Sequence, residues 1–110
     1  MSEEQIEKSK STVEAADHIS PAKKAQLLDA LSKIKPVIAQ ASEVQAEHVQ
    51  NVAKLIEASA QTVAHKERRP EHLKSILQEL KQSAQNFEAS HPQLTAAIAE
   101  YSTVLSALGI

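Results

Sequence analysis

Apolar residues recur along most of this chain at steps of three and four, the spacing that places them on one face of an α-helix. The pattern is sharpest after residue 70, in two heptad rows: Leu73, Leu77, Leu80, Ala84 and Phe87, then Leu94, Ile98, Tyr101, Leu105 and Leu108. No stretch alternates apolar and polar residues for long, so nothing favours strands. The sequence predicts an all-α protein.

Four prolines, at positions 21, 36, 70 and 92, divide this pattern, and the only glycine is the penultimate residue. Ser20 followed by Pro21 is typical of a helix start, because serine caps the first turn and proline is tolerated there. Pro36 cannot donate a hydrogen bond to the carbonyl of residue 32, so we expect a helix break near residues 35–36. We predict a bundle of four to five helices.

The segment before Ser20 has the weakest apolar face of the chain. A helix over about residues 3–17 would offer only Ile6, Val13 and alanines for burial. We therefore predict a single helical domain, residues 1–110, in which residues 1–19 are packed more loosely than the rest.

A third apolar stripe predicts a helix over about residues 37–66. At 1.5 Å per residue it would be about 45 Å long, whereas a compact chain of this size is roughly 35 Å across. The helix must break, for instance near Ser42 with a capping box to Gln45, or project from the globule. A projecting helix needs a partner, which favours a homodimer.

Residues 90–94, SHPQL, lie between the two heptad rows. Ser90 can cap a new helix, with Pro92 in its first turn and Gln93 reaching back to the cap. We favour a turn, with the two rows covering one another as an antiparallel helical hairpin. The alternative is one kinked helix.

The last two residues, Gly109 and Ile110, are typical of a Schellman cap, in which glycine takes the left-handed conformation and isoleucine packs back on Leu105. The functional alternative is a tail that a partner protein binds. Ile110 is therefore a candidate partner contact.

Composition argues against several functions. Twelve Lys and Arg against fourteen Asp and Glu give a net charge of −2, without the basic excess that binding along nucleic acid needs. There is no cysteine, hence no disulfide or thiolate metal site. The N-terminal residues lack the order of a signal peptide, and no apolar run is long enough to span a membrane. We expect a cytoplasmic protein without nucleic acid or membrane as its main partner.

The densest cationic run, residues 65–74, carries Arg68 and Arg69 just before a proline that begins a helix, with His72 in the first turn. Unpaired N–H groups at a helix start favour anions. Arg68, Arg69 and His72 are therefore candidate contacts for a phosphate or an acidic peptide. We favour the plainer interpretation of a solvated loop.

Chemistry-bearing patterns are sparse. Glu88 and His91 form the E-x-x-H step that di-iron bundles use, but no other histidine has a glutamate three residues before it. There is no internal glycine for a phosphate-binding loop or a nucleophile elbow. We predict no metal, no cofactor and no enzymatic activity.

Residues 86–110 carry a Phe-Glu-Ala-Ser-His-Pro segment at 87–92 and a Leu-Ser-x-x-Gly-Ile ending at 105–110. This closing stretch resembles a small bacterial family known as domain of unknown function 4404, although Leu108 stands where we expect methionine. The resemblance implies a small helical bacterial protein and transfers no catalytic residue.

These observations favour an interaction or assembly module that forms a homodimer through the projecting helix or the hairpin at residues 73–108. The alternative is a protein that binds an anionic ligand or a membrane surface. A metal-binding bundle is the third and least favoured hypothesis.

Overall fold

The computed structural model describes residues 2–16, 19–41, 46–64, 70–87 and 89–107. Within these ranges the chain forms five α-helices and no strand. They are α1 (Ser2–Ala15), α2 (Pro21–Ala41), α3 (Ala46–Ala64), α4 (Pro70–Ala84) and α5 (Pro92–Ser106), with a 3₁₀ turn (Gln85–Phe87) between α4 and α5. The predicted all-α class and helical bundle are confirmed.

The helices form a closed ring in the order α1, α2, α5, α4, α3, so that each helix packs against two neighbours. α2 and α3 make few contacts with each other, whereas α1 packs extensively against both. A ring of five helices cannot alternate direction all round. The parallel pair is α1 and α3, since Glu57 lies beside the first half of α1 and Ala64 beside its end.

The core of the ring is aliphatic, with the two aromatic residues inside it. The large residues with less than 2% of their surface exposed include Ile6, Leu27, Leu31, Ile34, Ile38, Ile56, Leu73, Leu80, Phe87, Leu94, Ile98, Tyr101 and Leu105. All described members of both heptad rows are buried within the chain. The rows therefore close against the chain's own helices.

The first helix contributes a narrow buried face. Ile6, Ser9 and Val13 are fully buried, and Ala16 follows them just after the helix. Ser9 Oγ donates to the carbonyl of Gln5 at 2.8 Å, so its burial leaves no hydroxyl unpaired. The looser packing expected for residues 1–19 stays a prediction.

The second helix begins where the sequence predicts. The Lys23 N–H donates to Ser20 Oγ at 3.3 Å and the Lys24 N–H donates to the Ser20 carbonyl at 2.9 Å. Both contacts are those of an N-cap residue, with Pro21 at the first helical position.

The expected break near residues 35–36 is wrong, because α2 continues through Pro36 to Ala41. Pro36 and Ser32 are exposed, so water can hydrate the Ser32 carbonyl that proline leaves without a helix donor. Ile34 and Ile38, on the opposite side, are fully buried. Core packing on both sides of Pro36 holds the helix together where the local preference would end it.

The stretch predicted as helical over residues 37–66 is divided between α2 and α3, which agrees with the alternative of a break and not with a projecting helix. Residues 37–41 belong to α2, and α3 begins at Ala46. The 19 residues of α3 are about 28 Å long, which fits inside the 38 Å long axis of the molecule. No described helix projects, and the cap predicted at Ser42 and Gln45 lies outside the described residues.

The predicted hairpin is confirmed, with α4 and α5 antiparallel and in contact. Thr95 Oγ1, in the first turn of α5, donates to the carbonyl of Ala84 at the end of α4, at 3.0 Å. The His91 N–H donates to the Phe87 carbonyl at 2.6 Å. These two bonds tie the turn to both helices.

The cap of α5 is one residue later than predicted, because the N-cap is His91 and not Ser90. The His91 carbonyl accepts the N–H groups of Leu94 and Thr95, at 3.0 and 3.3 Å. Pro92 explains the shift, since proline prefers the first helical position and the residue before it then becomes the cap. The cap predicted at residues 109–110 lies outside the described residues.

Candidate functional site

The site residues predicted from the sequence are mostly beyond the described structure. Arg68, Arg69 and Ile110 lie outside the described residues, so the structure does not show whether they come together. His72 is described and is exposed in the first turn of α4. Binding of an anion or a membrane surface thus stays an expectation.

Only one residue of the predicted E-x-x-H step is described by the structure. Glu88 lies outside the described residues, and His91 is half-buried at the hairpin turn. Within the described ranges no three His, Cys, Asp or Glu side chains group closely enough to hold a metal ion. His48, exposed in α3, lies edge-on to the buried Phe87 ring with the ring centroids 6.1 Å apart.

A polar contact crosses the centre of the bundle. The hydroxyls of Tyr101 in α5 and Ser59 in α3 lie 2.7 Å apart, and Ser59 Oγ donates to the Ile56 carbonyl at 2.7 Å. Burial raises the pKa of the Tyr101 hydroxyl far above its usual value, and the hydrogen bond with Ser59 lowers it only in part. The tyrosine is therefore a neutral hydrogen-bonding group that links two helices.

Two of the open grooves on the surface are lined by several polar side chains. One, of about 710 Å³, runs beside α1 and mixes charges of both signs, among them Glu3, Glu7 and Lys35. The other, of about 340 Å³, lies between α3 and α4, where Asn51 Nδ2 donates to Ser83 Oγ at 3.0 Å.

The outer side of α2 and α5 differs from the rest of the surface. We call it the α2–α5 face and define it by the exposed residues Ala22, Ala25, Gln26, Asp29, Ser32, Lys33, Pro36, Gln40, Ala96, Ala99, Glu100, Thr103 and Ala107. Apart from its three charged residues and two glutamines, these side chains are small and uncharged. Its small side chains let another helix approach closely, except at the paired side chains of Lys33 and Glu100.

The three charged residues of the α2–α5 face pair with one another. Lys33 Nζ lies 3.0 Å from Glu100 Oε1 and 3.3 Å from Asp29 Oδ2, which joins α2 to α5. The hydrogen bonds to Glu100 and then to Asp29 raise the pKa of Lys33. The described charges of this face are thus satisfied within the chain.

The helices α1 and α4 present many more charges. The exposed charged residues of α1 and α4 include Glu3, Glu4, Glu7, Lys8, Glu14, Glu71, Lys74, Glu79 and Lys81. The sequence does contain a signal for this contrast, because Glu100 is the only Asp, Glu, Lys or Arg between residues 89 and 107. The apolar rows of the sequence do not reveal this contrast.

Together these features define a small five-helix bundle with an aliphatic core and one nearly neutral outer face. The chain belongs to the family described as domain of unknown function (DUF4404), whose model matches residues 27–110. The family inferred from the closing residues is confirmed. The matched part contains most of α2 and all of α3, α4 and α5, whereas α1 precedes it.

No curated protein and no solved structure matches the chain. Among its described helices, none is long and apolar enough to cross a membrane.

Proposed function

We propose that this protein is a small interaction and assembly module that self-associates through the α2–α5 face. The proposal includes a cytoplasmic location and no catalytic role, as expected from the sequence. The observation that carries it is the contrast in exposed charge between the α2–α5 face and the helices α1 and α4.

The two supports that the sequence offered for a homodimer are absent from the described structure. No described helix projects, and the heptad rows are buried within the chain. The α2–α5 face supplies a different reason for association. Alanine methyl groups at Ala96 and Ala99, together with the Pro36 ring, are apolar surface in water, and burying such surface is favourable by about 25 cal/mol per Å².

The size of the molecule limits how strong this association can be. Its broadest side measures 38 by 23 Å, whereas a stable interface buries about 800 Å² on each partner. An interface of that area would take up most of one side of a molecule this small. We therefore expect a dimer that forms and dissociates within an accessible range of protein concentration.

The test is to add charge to the face without disturbing the helix. Ala96→Glu together with Ala99→Glu places two unpaired carboxylates at exposed positions of α5, where glutamate is a good helix former. The matched control is Ser75→Glu with Gln78→Glu, which adds the same charge to the exposed side of α4.

Molar mass is measured by light scattering on a sizing column over a concentration series. We expect the unmodified chain and the α4 control to move from monomer towards dimer as concentration rises, and the α5 variant to remain monomeric. A monomer at every concentration for the unmodified chain contradicts self-association. An α5 variant that dimerises as well as the control contradicts the assignment of the face.

A further inference from the structure

The first helix fills a groove between two helices that scarcely touch each other. Without α1, the helices α2, α5, α4 and α3 form an open arc, and the gap in the arc lies between α2 and α3. α1 closes the gap by packing against both. The gap leads to the core, since Ile6 and Val13 of α1 are fully buried in it.

The contact between α1 and α3 is built from small residues. Ser9 on α1 is fully buried, and so are Ala53 and Ala60 on α3. Ala53 and Ala60 share a helical stripe with Glu57 and Ala64, which line the grooves beside α1. The stripe therefore faces α1 and lets the two backbones approach closely.

The polar contacts described between α1 and α2 lie at the surface. Lys35 of α2 pairs with Glu7, and Lys24 Nζ donates to the Glu14 carbonyl at 3.1 Å. The hydrogen bond from Lys35, with help from Lys10, lowers the pKa of Glu7. Exposed pairs of this kind contribute little to stability and weaken in salt. Ile6 and Val13 are thus the main anchors of α1.

We propose that the groove between α2 and α3 is a helix-docking site that accepts α1 from its own chain or from a second copy of the chain. A second copy is the occupant that suits the groove, because its α1 brings the same Ile6, Ser9, Val13 and Glu7 to the same positions. Exchange of an identical element keeps its native contacts and changes only the connection. This site is separate from the α2–α5 face.

The connection between α1 and α2 suits such an exchange. It spans residues 16–20 and ends at Pro21, and the residue before a proline is disfavoured in helical conformation. Ser20 caps the start of α2, so α1 and α2 are separate helices. An extended chain covers about 3.4 Å per residue, and this length sets how far α1 can reach towards a neighbouring copy.

The absence of cysteine makes exchange directly measurable. Thr12 on α1 and Gln61 on α3 line the same groove, so a cysteine pair at these positions reports α1 seated on α3. The single variants Thr12→Cys and Gln61→Cys are mixed in equal amounts, incubated at high concentration and oxidised. The disulfide-linked species are then identified by intact mass.

We expect the mixed Thr12→Cys and Gln61→Cys dimer to exceed, several-fold, the mixed dimer from the matched pair Thr12→Cys and Ser75→Cys. Ser75 is exposed on α4, which does not pack against α1. Equal yields from the two pairs overturn the proposal. The double variant Thr12→Cys/Gln61→Cys must close internally, which shows that the pair is within reach.

If that internal disulfide does not form, the pair Ala15→Cys and Ala64→Cys, which lines the same groove, replaces it in every arm. The experiment is repeated with Ala96→Glu and Ala99→Glu present. Cross-linking that persists there shows exchange of α1 without the α2–α5 face. Loss of cross-linking only in that background shows that α1 exchange requires the α2–α5 face, and this overturns the independence of the two sites.

Discussion

The Ser59–Tyr101 contact gives the sharpest prediction of stability in this molecule, because its two hydroxyls are not equally replaceable. Ser59 Oγ has a second partner, the Ile56 carbonyl at 2.7 Å, whereas the same carbonyl lies 3.4 Å from the Tyr101 hydroxyl. Removing the tyrosine hydroxyl leaves serine hydrogen-bonded. Removing the serine hydroxyl leaves a buried phenol with one long contact.

The expected magnitudes follow from that asymmetry. Tyr101→Phe loses one buried hydrogen bond, a net cost of about 0.5–1.5 kcal/mol. Ser59→Ala leaves a poorly satisfied buried hydroxyl, a cost of about 1–3 kcal/mol, offset by roughly 0.5 kcal/mol because alanine is the better helix former. In the Tyr101→Phe background no phenol remains to be stranded, so Ser59→Ala becomes neutral or slightly stabilising there.

The four proteins of this double-mutant cycle are compared by urea unfolding followed by far-ultraviolet circular dichroism. We expect a coupling free energy of about 1–2 kcal/mol between the two positions, with an unchanged dependence of the unfolding free energy on urea concentration. An equal cost of Ser59→Ala in both backgrounds would refute the reasoning. It would mean that the hydroxyls do not interact in the folded protein.

Four further predictions concern single residues. Burial raises the pKa of Tyr101 in the folded protein. The free energy of unfolding is therefore kept at pH values below the tyrosine pKa of the unfolded chain, near 10, and falls by about 1.4 kcal/mol per pH unit above it. Tyr101→Phe removes that loss, which urea midpoints measured against pH will show. Pro36→Ala restores a helix hydrogen bond and should stabilise by about 2 kcal/mol after the entropy of the unfolded chain is counted; an unchanged urea midpoint contradicts this. Ser102 Oγ is buried without a hydrogen-bond partner among the described residues, so Ser102→Ala should be neutral or stabilising by about 1 kcal/mol in thermal unfolding. Ile6→Ala should speed amide exchange in α1 far more than in α3–α5; uniform acceleration means that α1 opens only with the whole domain.

The helices themselves were predictable because their signals are local. Ser20 and Pro21 mark a helix start by the capping chemistry of two adjacent residues, and the structure shows that cap. The two heptad rows predict a hairpin through their equal lengths, which the Thr95 contact to Ala84 completes.

The errors arose where packing outweighed local preference. Pro36 disfavours a helix through its own ring, but the burial of Ile34 and Ile38 depends on helices far away in the sequence. The same long-range packing assigns residues 37–41 to α2 and so removes the projecting helix. A single sequence records the cost of the proline and does not record the contacts that compensate for it.

The candidate surface was hard to predict for a related reason. A row of leucines predicts that a helix face is buried. It does not predict whether the same chain or a second chain packs against that face. The structure answers this for the heptad rows, whose described members are covered within the chain. The surface signal in the sequence is the low number of charged residues between residues 89 and 107. A stretch with few charges indicates a contact surface only when the structure shows which of its residues face solvent.

Self-association therefore rests on different grounds than the apolar pattern suggested. The ring already covers its large apolar residues, so a second copy can gain only from small exposed residues or from replacing a contact that the chain makes with itself. The α2–α5 face is an instance of the first route and the α1 groove of the second. The two routes differ in salt dependence: α1 is fastened partly by the exposed pair of Lys35 and Glu7, which salt weakens, whereas the charges of the α2–α5 face are already paired within one chain. Raising the salt concentration should speed exchange of α1 and leave the mass of a face-to-face dimer nearly unchanged.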